Sequence, residues 1–161
     1  MLSVPRFTLF MLAIFSMVIA RGEYVARPVS TVSLDVVLAD AQKVADARPG
    51  AQVLRIEGKS MLPFFGEGSV VVVRKIDPAK LRPGMVVVYT NRFGETVAHR
   101  LVALAEGGWV AQGYNNTATD STLVNASNLN GVVYATFHSN GCTELSDAVA
   151  KIPVALAAPA R

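Results

Sequence analysis

The chain has 161 residues, 52% of them apolar, with 15 basic and 12 acidic side chains and a net charge of +3. That length suffices for one domain with a real core. So small a basic excess, with no Lys/Arg cluster, gives no footprint for nucleic acid. Cys142 is the only cysteine, which excludes an internal disulfide and a thiolate zinc site and reads as a small hydrophobe. His99 and His138 are the only histidines, so no structural metal site and no cofactor are expected.

Phe7 to Ala20 carries no charge and is bracketed by Arg6 and Arg21. It is shorter than the ~20 residues a bilayer span requires, and suits a signal-peptide core or a short anchor helix that tilts or thins the bilayer. A buried soluble helix is the alternative. Either membrane reading leaves the remainder outside the cytoplasm, as a membrane-anchored domain or as an exported soluble protein after signal cleavage. Arg6 ahead of the segment fits that orientation, whereas Arg21 and Arg27 behind it reduce the charge asymmetry.

Glu23 to Val32, with Pro28, reads as a linker. Ser33 then offers an N-cap, and Leu34, Val37, Leu38, Ala41, Val44 and Ala45 recur at the spacing of one apolar helix face. Asp35, Asp40, Lys43 and Asp46 form its solvated side, and Arg48-Pro49-Gly50 stops it. From Ala51 the pattern changes to short β-branched runs: Val53–Ile56, Val70–Val73, Val86–Tyr89, Thr96–Ala105, Trp109–Gln112 and Val132–Phe137. A loop with Pro78, Pro83 and Gly84, a hairpin connection at Asn91–Gly94 and a Gly107-Gly108 turn separate them. No helical pattern intervenes, so a mostly β domain is expected, antiparallel and coiled or barrel-like. After Gly141 a short helix, Thr143–Lys151, is followed by an Ala/Pro-rich end expected to be mobile. The divisions are thus 1–21 (signal or anchor), 22–50 (linker and amphipathic helix), 51–138 (β domain) and 139–161 (tail).

Three polar features interrupt this apolar pattern. Ser60, in Gly58-Lys59-Ser60-Met61-Leu62-Pro63, sits where a strand gives way to a turn, a place that presents a hydroxyl at the lip of a sheet. A turn serine bonded to its own backbone is the plain alternative. His99, in Val97-Ala98-His99-Arg100-Leu101-Val102, is polar within a hydrophobic strand, where a histidine satisfied in the core is the commoner case. The third feature is the polar loop Gly113 to Ser121, which contains Asp120.

In this order and spacing, the three resemble the motifs of type I signal peptidases. Ser60-Met61-Leu62-Pro63 resembles the nucleophile box, and Val70–Val73 with Pro83–Tyr89 the two strands that follow it. His99-Arg100-Leu101-Val102 resembles the general-base box, with His where most bacterial members carry Lys, as in the endoplasmic-reticulum and archaeal type. Gly113–Ser121 resembles the acidic loop. The resemblance implies a serine protease fold with Ser60 as nucleophile, His99 as base, Asp120 as its acidic partner and the Ser60 N–H as oxyanion donor. It also implies an exported polypeptide substrate, cut after small residues held by Ile56, Met61 and Ala98, with the N-terminal segment at the membrane. An imidazole, with an unperturbed pKa of about 6.5, needs no desolvation to act as base at neutral pH, unlike a lysine near 10.4. Lys59 is a rival base on the far side of an extended segment.

The departures are Gly58, where many members place a serine donor, and Ser69, Met85 and Tyr114, where the family carries acids. They leave Asp120 as the only acid of the polar loop. Two other readings remain: a protease related to self-cleaving repressors, and an inactive peptidase fold kept for peptide binding or assembly.

Overall fold

The computed structural model describes residues 26–140 and 151–157. The uncharged segment 7–20 with its expected helix, the Thr143–Lys151 helix up to residue 150, and residues 158–161 lie outside them. No helix among the described residues is long and apolar enough to cross a membrane.

Helix α1, Leu34–Asp46, presents the expected face: Leu34, Val37, Leu38, Ala41 and Ala45 are buried. Ser33 takes the extended N-cap conformation, but its side chain makes no capping bond. The helix start therefore rests on packing and on Asp35 in the first turn, next to the positive end of the helix dipole. Seven strands follow: β1 Gln52–Gly58, β2 Ser69–Arg74, β3 Val86–Thr90, β4 Thr96–Ala105, β5 Gly108–Gln112, β6 Leu129–His138 and β7 Val154–Ala157. A single 3-10 turn, Pro78–Lys80, sits in the loop between β2 and β3.

The strands run in the order β3-β6-β2-β1-β7-β4-β5, and β3 also pairs with β4, which closes six of them into a barrel. β5 lies outside the closure, paired antiparallel to the far half of β4, Arg100–Ala105. The expectation of a mostly β, barrel-like domain with one amphipathic helix is met, with one difference. The end expected to be mobile contributes β7, which runs parallel to β1 from Arg55↔Val154 to Gly58↔Ala157 and meets β4 at Val97↔Leu156. Four residues of alternating Val, Ala, Leu and Ala carry too little β propensity to signal a strand. It is the two flanking strand edges that order them, by offering backbone hydrogen bonds.

β2 shows how the layers are built. Val71 and Val73 join Leu54, Ile56, Met61, Phe65, Val88, Ala98, Ala155 and Ala157 in one core cluster. Val70 and Val72, on the opposite face of the pleat, pack beneath α1. A third cluster, with Leu81, Val87, Tyr89, Val97, Leu101, Ala111 and Val124, fills the side toward β5. Leu54 is 5% exposed in the first cluster and Leu104 is 68% exposed. Leu54→Ala should lower stability by about 2–5 kcal/mol, and Leu104→Ala by less than about 0.5 kcal/mol, in urea unfolding monitored by Trp109 fluorescence.

Candidate active site

β1 ends at Gly58 in the left-handed region, φ +93°, and the chain turns through residues 59–64. This turn leaves Lys59 exposed and buries Ser60, which is 2% exposed. His99 stands on β4 opposite Val87 of β3 and is 1% exposed. Ser60 Oγ lies 2.7 Å from His99 Nε2, and His99 Nδ1 lies 2.5 Å from Asp120 Oδ2. The residues that the sequence places in a turn, a strand and a loop therefore meet in one hydrogen-bonded chain. An Asp120 carboxylate can only accept, so His99 Nδ1 carries the proton and Nε2 presents a lone pair to the Ser60 hydroxyl.

Two backbone contacts hold the polar loop at this distance. Asp120 N–H donates to Ala111 O at 2.8 Å, and Asn115 N–H donates to Ser60 O at 2.7 Å. The close approach depends on Gly113, since a Cβ there would lie 2.7 Å from Ser60 O and 2.8 Å from Ser60 Cβ.

A fourth residue, read from the sequence only as the end of a strand, completes the chain. Tyr89 of β3 donates its hydroxyl to Asp120 Oδ2 at 2.6 Å, the same oxygen that faces His99. Burial first, then the hydrogen bond to Asp120 and its charge, raises the Tyr89 pKa far above the usual tyrosine range, so the hydroxyl keeps its proton. The available signal was a tyrosine in a strand of valines, because a buried phenol requires a partner.

Ile56, Met61 and Ala98, expected to wall a pocket, are buried at 1%, 0% and 0%. The space they border is taken by Ala155 and Ala157 of β7, within the same cluster. The Ser60 N–H, expected as an oxyanion donor, is bonded to Ala157 O at 3.0 Å.

The positions lacking the resembled acids are filled in other ways. Ser69 Oγ accepts from Gly66 N–H at 3.2 Å, Met85 packs against the third core cluster, and Tyr114 meets Phe64 in a tilted pair with ring centroids 4.3 Å apart. Arg100 lies over the Tyr114 ring at 4.5 Å, and its buried Nε has no hydrogen-bond partner among the described residues. No group of three or more His, Cys, Asp or Glu side chains among the described residues could hold a metal ion.

His138 bonds Ser69 Oγ through Nδ1 at 3.2 Å rather than joining the Ser60 chain. Burial lowers its pKa. The unfolded chain therefore takes up this proton first, and the contribution of neutral His138 is lost as pH falls through the ordinary histidine range. Thermal unfolding should show the wild type losing more stability than His138→Gln between about pH 7 and pH 5.

The Peptidase S24-like family model matches residues 23–133, well over half of the chain, and that span contains Ser60, His99 and Asp120. The chain belongs to the Peptidase S24-like family. No curated protein and no solved structure matches it. The match lies within the superfamily that also takes in the signal peptidases, and membership points to a serine peptidase or a self-cleaving, repressor-like activity. Tyr89 offers a direct test of the site. Its bond to a carboxylate is worth about 1.5–3 kcal/mol. Tyr89→Phe should therefore slow acylation of Ser60 by a fluorophosphonate on the order of tenfold, as read by mass spectrometry.

Proposed function

We propose that the protein is a serine endopeptidase in which Ser60 is the nucleophile, His99 the general base and Asp120 the group that orients and charge-stabilises the imidazole. The observation that carries this reading is the continuous chain from Ser60 Oγ through both His99 nitrogens to Asp120. His99 Nε2 takes the hydroxyl proton as Ser60 Oγ attacks a peptide carbonyl, then delivers it to the leaving amine. Asp120 keeps Nδ1 protonated throughout. The Ser60 N–H is the backbone donor for the developing oxyanion, and it already points at a carbonyl oxygen, Ala157 O. The preference for histidine over Lys59 as base is supported by placement, since Lys59 is exposed while Ser60 and His99 are buried.

The finer reading is signal-peptidase-like: exported polypeptides are cut after small residues, with Ile56, Met61 and Ala98 leaving room for nothing larger. In that reading the 1–21 segment anchors the domain or delivers it across the membrane, with catalysis outside the cytoplasm. Its support is the order of the sequence motifs and the small side chains that now fill the space beside those three residues.

A fluorophosphonate should acylate Ser60 in the wild type and not in Ser60→Ala. His99→Ala should slow that reaction by orders of magnitude, because the base acts together with the nucleophile, while Lys59→Ala should leave it nearly unchanged. The rate should fall on acidification, since a protonated imidazole cannot accept the serine proton. Among reporter peptides, those with Ala before the cut should turn over faster than those with Lys or Phe. Equal turnover of the three would remove the small-residue reading.

A further inference from the structure

β7 shows how an extended segment lies against the nucleophile. It fills the slot between β1, which leads to Ser60, and β4, which carries His99. It runs parallel to β1, and Ala157 O meets the Ser60 N–H at 3.0 Å, where Gly58 leaves the strand bare. A polypeptide that takes this place, with its acyl oxygen on the same donor, continues past Gly58 toward the turn 59–64.

The surface around that turn is aromatic. Met61 and Phe65 are buried at 0% and 3%, but Phe64 points outward and is 54% exposed. Its ring meets that of Tyr114, itself 36% exposed, with centroids 4.3 Å apart and planes tilted by 47°. The neighbours of Tyr114 tie it to the nucleophile turn. Gly113 approaches the Ser60 backbone, Asn115 N–H bonds Ser60 O at 2.7 Å, and the Asn115 side-chain amide bonds Lys59 O at 3.2 Å. Arg100, the residue after His99, covers the Tyr114 ring at 4.5 Å. The segments that supply nucleophile, base and acid thus each add one side chain to an exposed ledge. Single exposed apolar side chains are ordinary, as Phe93 and Leu104 are in this fold. Two exposed rings in contact, beside the nucleophile, instead put aromatic surface where a substrate chain leaves the slot.

We propose that Phe64 and Tyr114 form a specificity subsite for an aromatic side chain carried by the substrate within three residues after the cut. The proposal rests on the peptidase reading above and adds to it a sequence preference on the leaving side. Three extended residues reach about 10 Å, enough to bring a ring from the Ser60 N–H onto the ledge. The incoming ring packs offset or edge-to-face against Phe64. The Arg100 guanidinium on the Tyr114 ring disfavours a lysine at the same position by like charge. Selection is for ring surface, so a carboxylate side chain gains nothing from the Phe64 face.

The test uses the full chain, with synthetic peptides competing against fluorophosphonate labelling of Ser60, read by mass spectrometry. Each peptide has Ala before the intended cut and Phe, Ala, Lys or Glu at the first, second or third position after it. At one of those positions, Phe should protect Ser60 at a concentration about threefold to tenfold lower than Ala, Lys or Glu. Phe64→Ala should erase that advantage and Phe64→Tyr should keep it. Phe93→Ala, on the hairpin between β3 and β4, should keep it as well. Phe64 and Phe93 are both more than half exposed, so neither alanine variant opens the core. Equal protection by the four residue types, or protection by none, with Ser60 still labelled, would overturn the subsite and leave the peptidase reading standing. An advantage that survives Phe64→Ala, or Glu as the best protector, would overturn the subsite too. A Ser60 that takes no label would overturn both.

Discussion

Closure of the barrel depends on a strand that pairs in parallel with two partners that never meet. β1 and β4 are each anchored elsewhere, β1 through β2 and β4 through β3, but the gap between them is bridged by β7 alone. Buried backbone groups that lack partners are costly, so two facing strand edges in a core are stable only when something extended lies between them. That constraint sets the spacing of the Ser60 turn from the His99 strand. It also explains why a segment as short as Val154–Ala157 is ordered, with its inward alanines, Ala155 and Ala157, buried in the core.

Around this slot the polar groups form a single file. Tyr89 donates to Asp120, Asp120 accepts from His99, and His99 accepts from Ser60. Each donor has one acceptor, which is how four polar side chains are tolerated among valines: a buried polar group without a partner would cost about 1–3 kcal/mol. The file crosses from β3 to the polar loop to β4 to the β1 turn. Its geometry is therefore set by the register of β3 with β4 and by two loop anchors, Asn115 on Ser60 and Asp120 on Ala111. Removal of water from such a site strengthens every interaction in it, the pull of Asp120 on the imidazole included.

Ser69, Met85 and Tyr114 lie at the periphery of this file rather than in it. Ser69 and His138 form a separate polar pair at the start of β2, and Met85 extends an apolar cluster. Tyr114 gives Arg100 an aromatic face, and the guanidinium Nε has no hydrogen-bond partner among the described residues. A cation over a ring contributes about 0.5–2 kcal/mol and holds its geometry less tightly than a bidentate pair. The loop is kept in place instead by backbone bonds and by the bare approach of Gly113 to Ser60.

What was legible in the sequence was local. The apolar face of α1, the β-branched runs of β1 to β6 and the turn at Ser60 each follow from residues close together in the chain, whose periodicity or branching decides their conformation alone. The convergence of Ser60, His99 and Asp120 was legible only through resemblance, because no spacing rule brings residues that far apart together. The tertiary structure decided the rest. β7 exists because two distant edges need a partner, Tyr89 joins the file because the register of β3 with β4 sets it facing Asp120, and Gly58 and Gly113 are required by carbonyls from other segments. In each case the deciding contact lies far along the chain, where pairing and close packing act and local propensity does not.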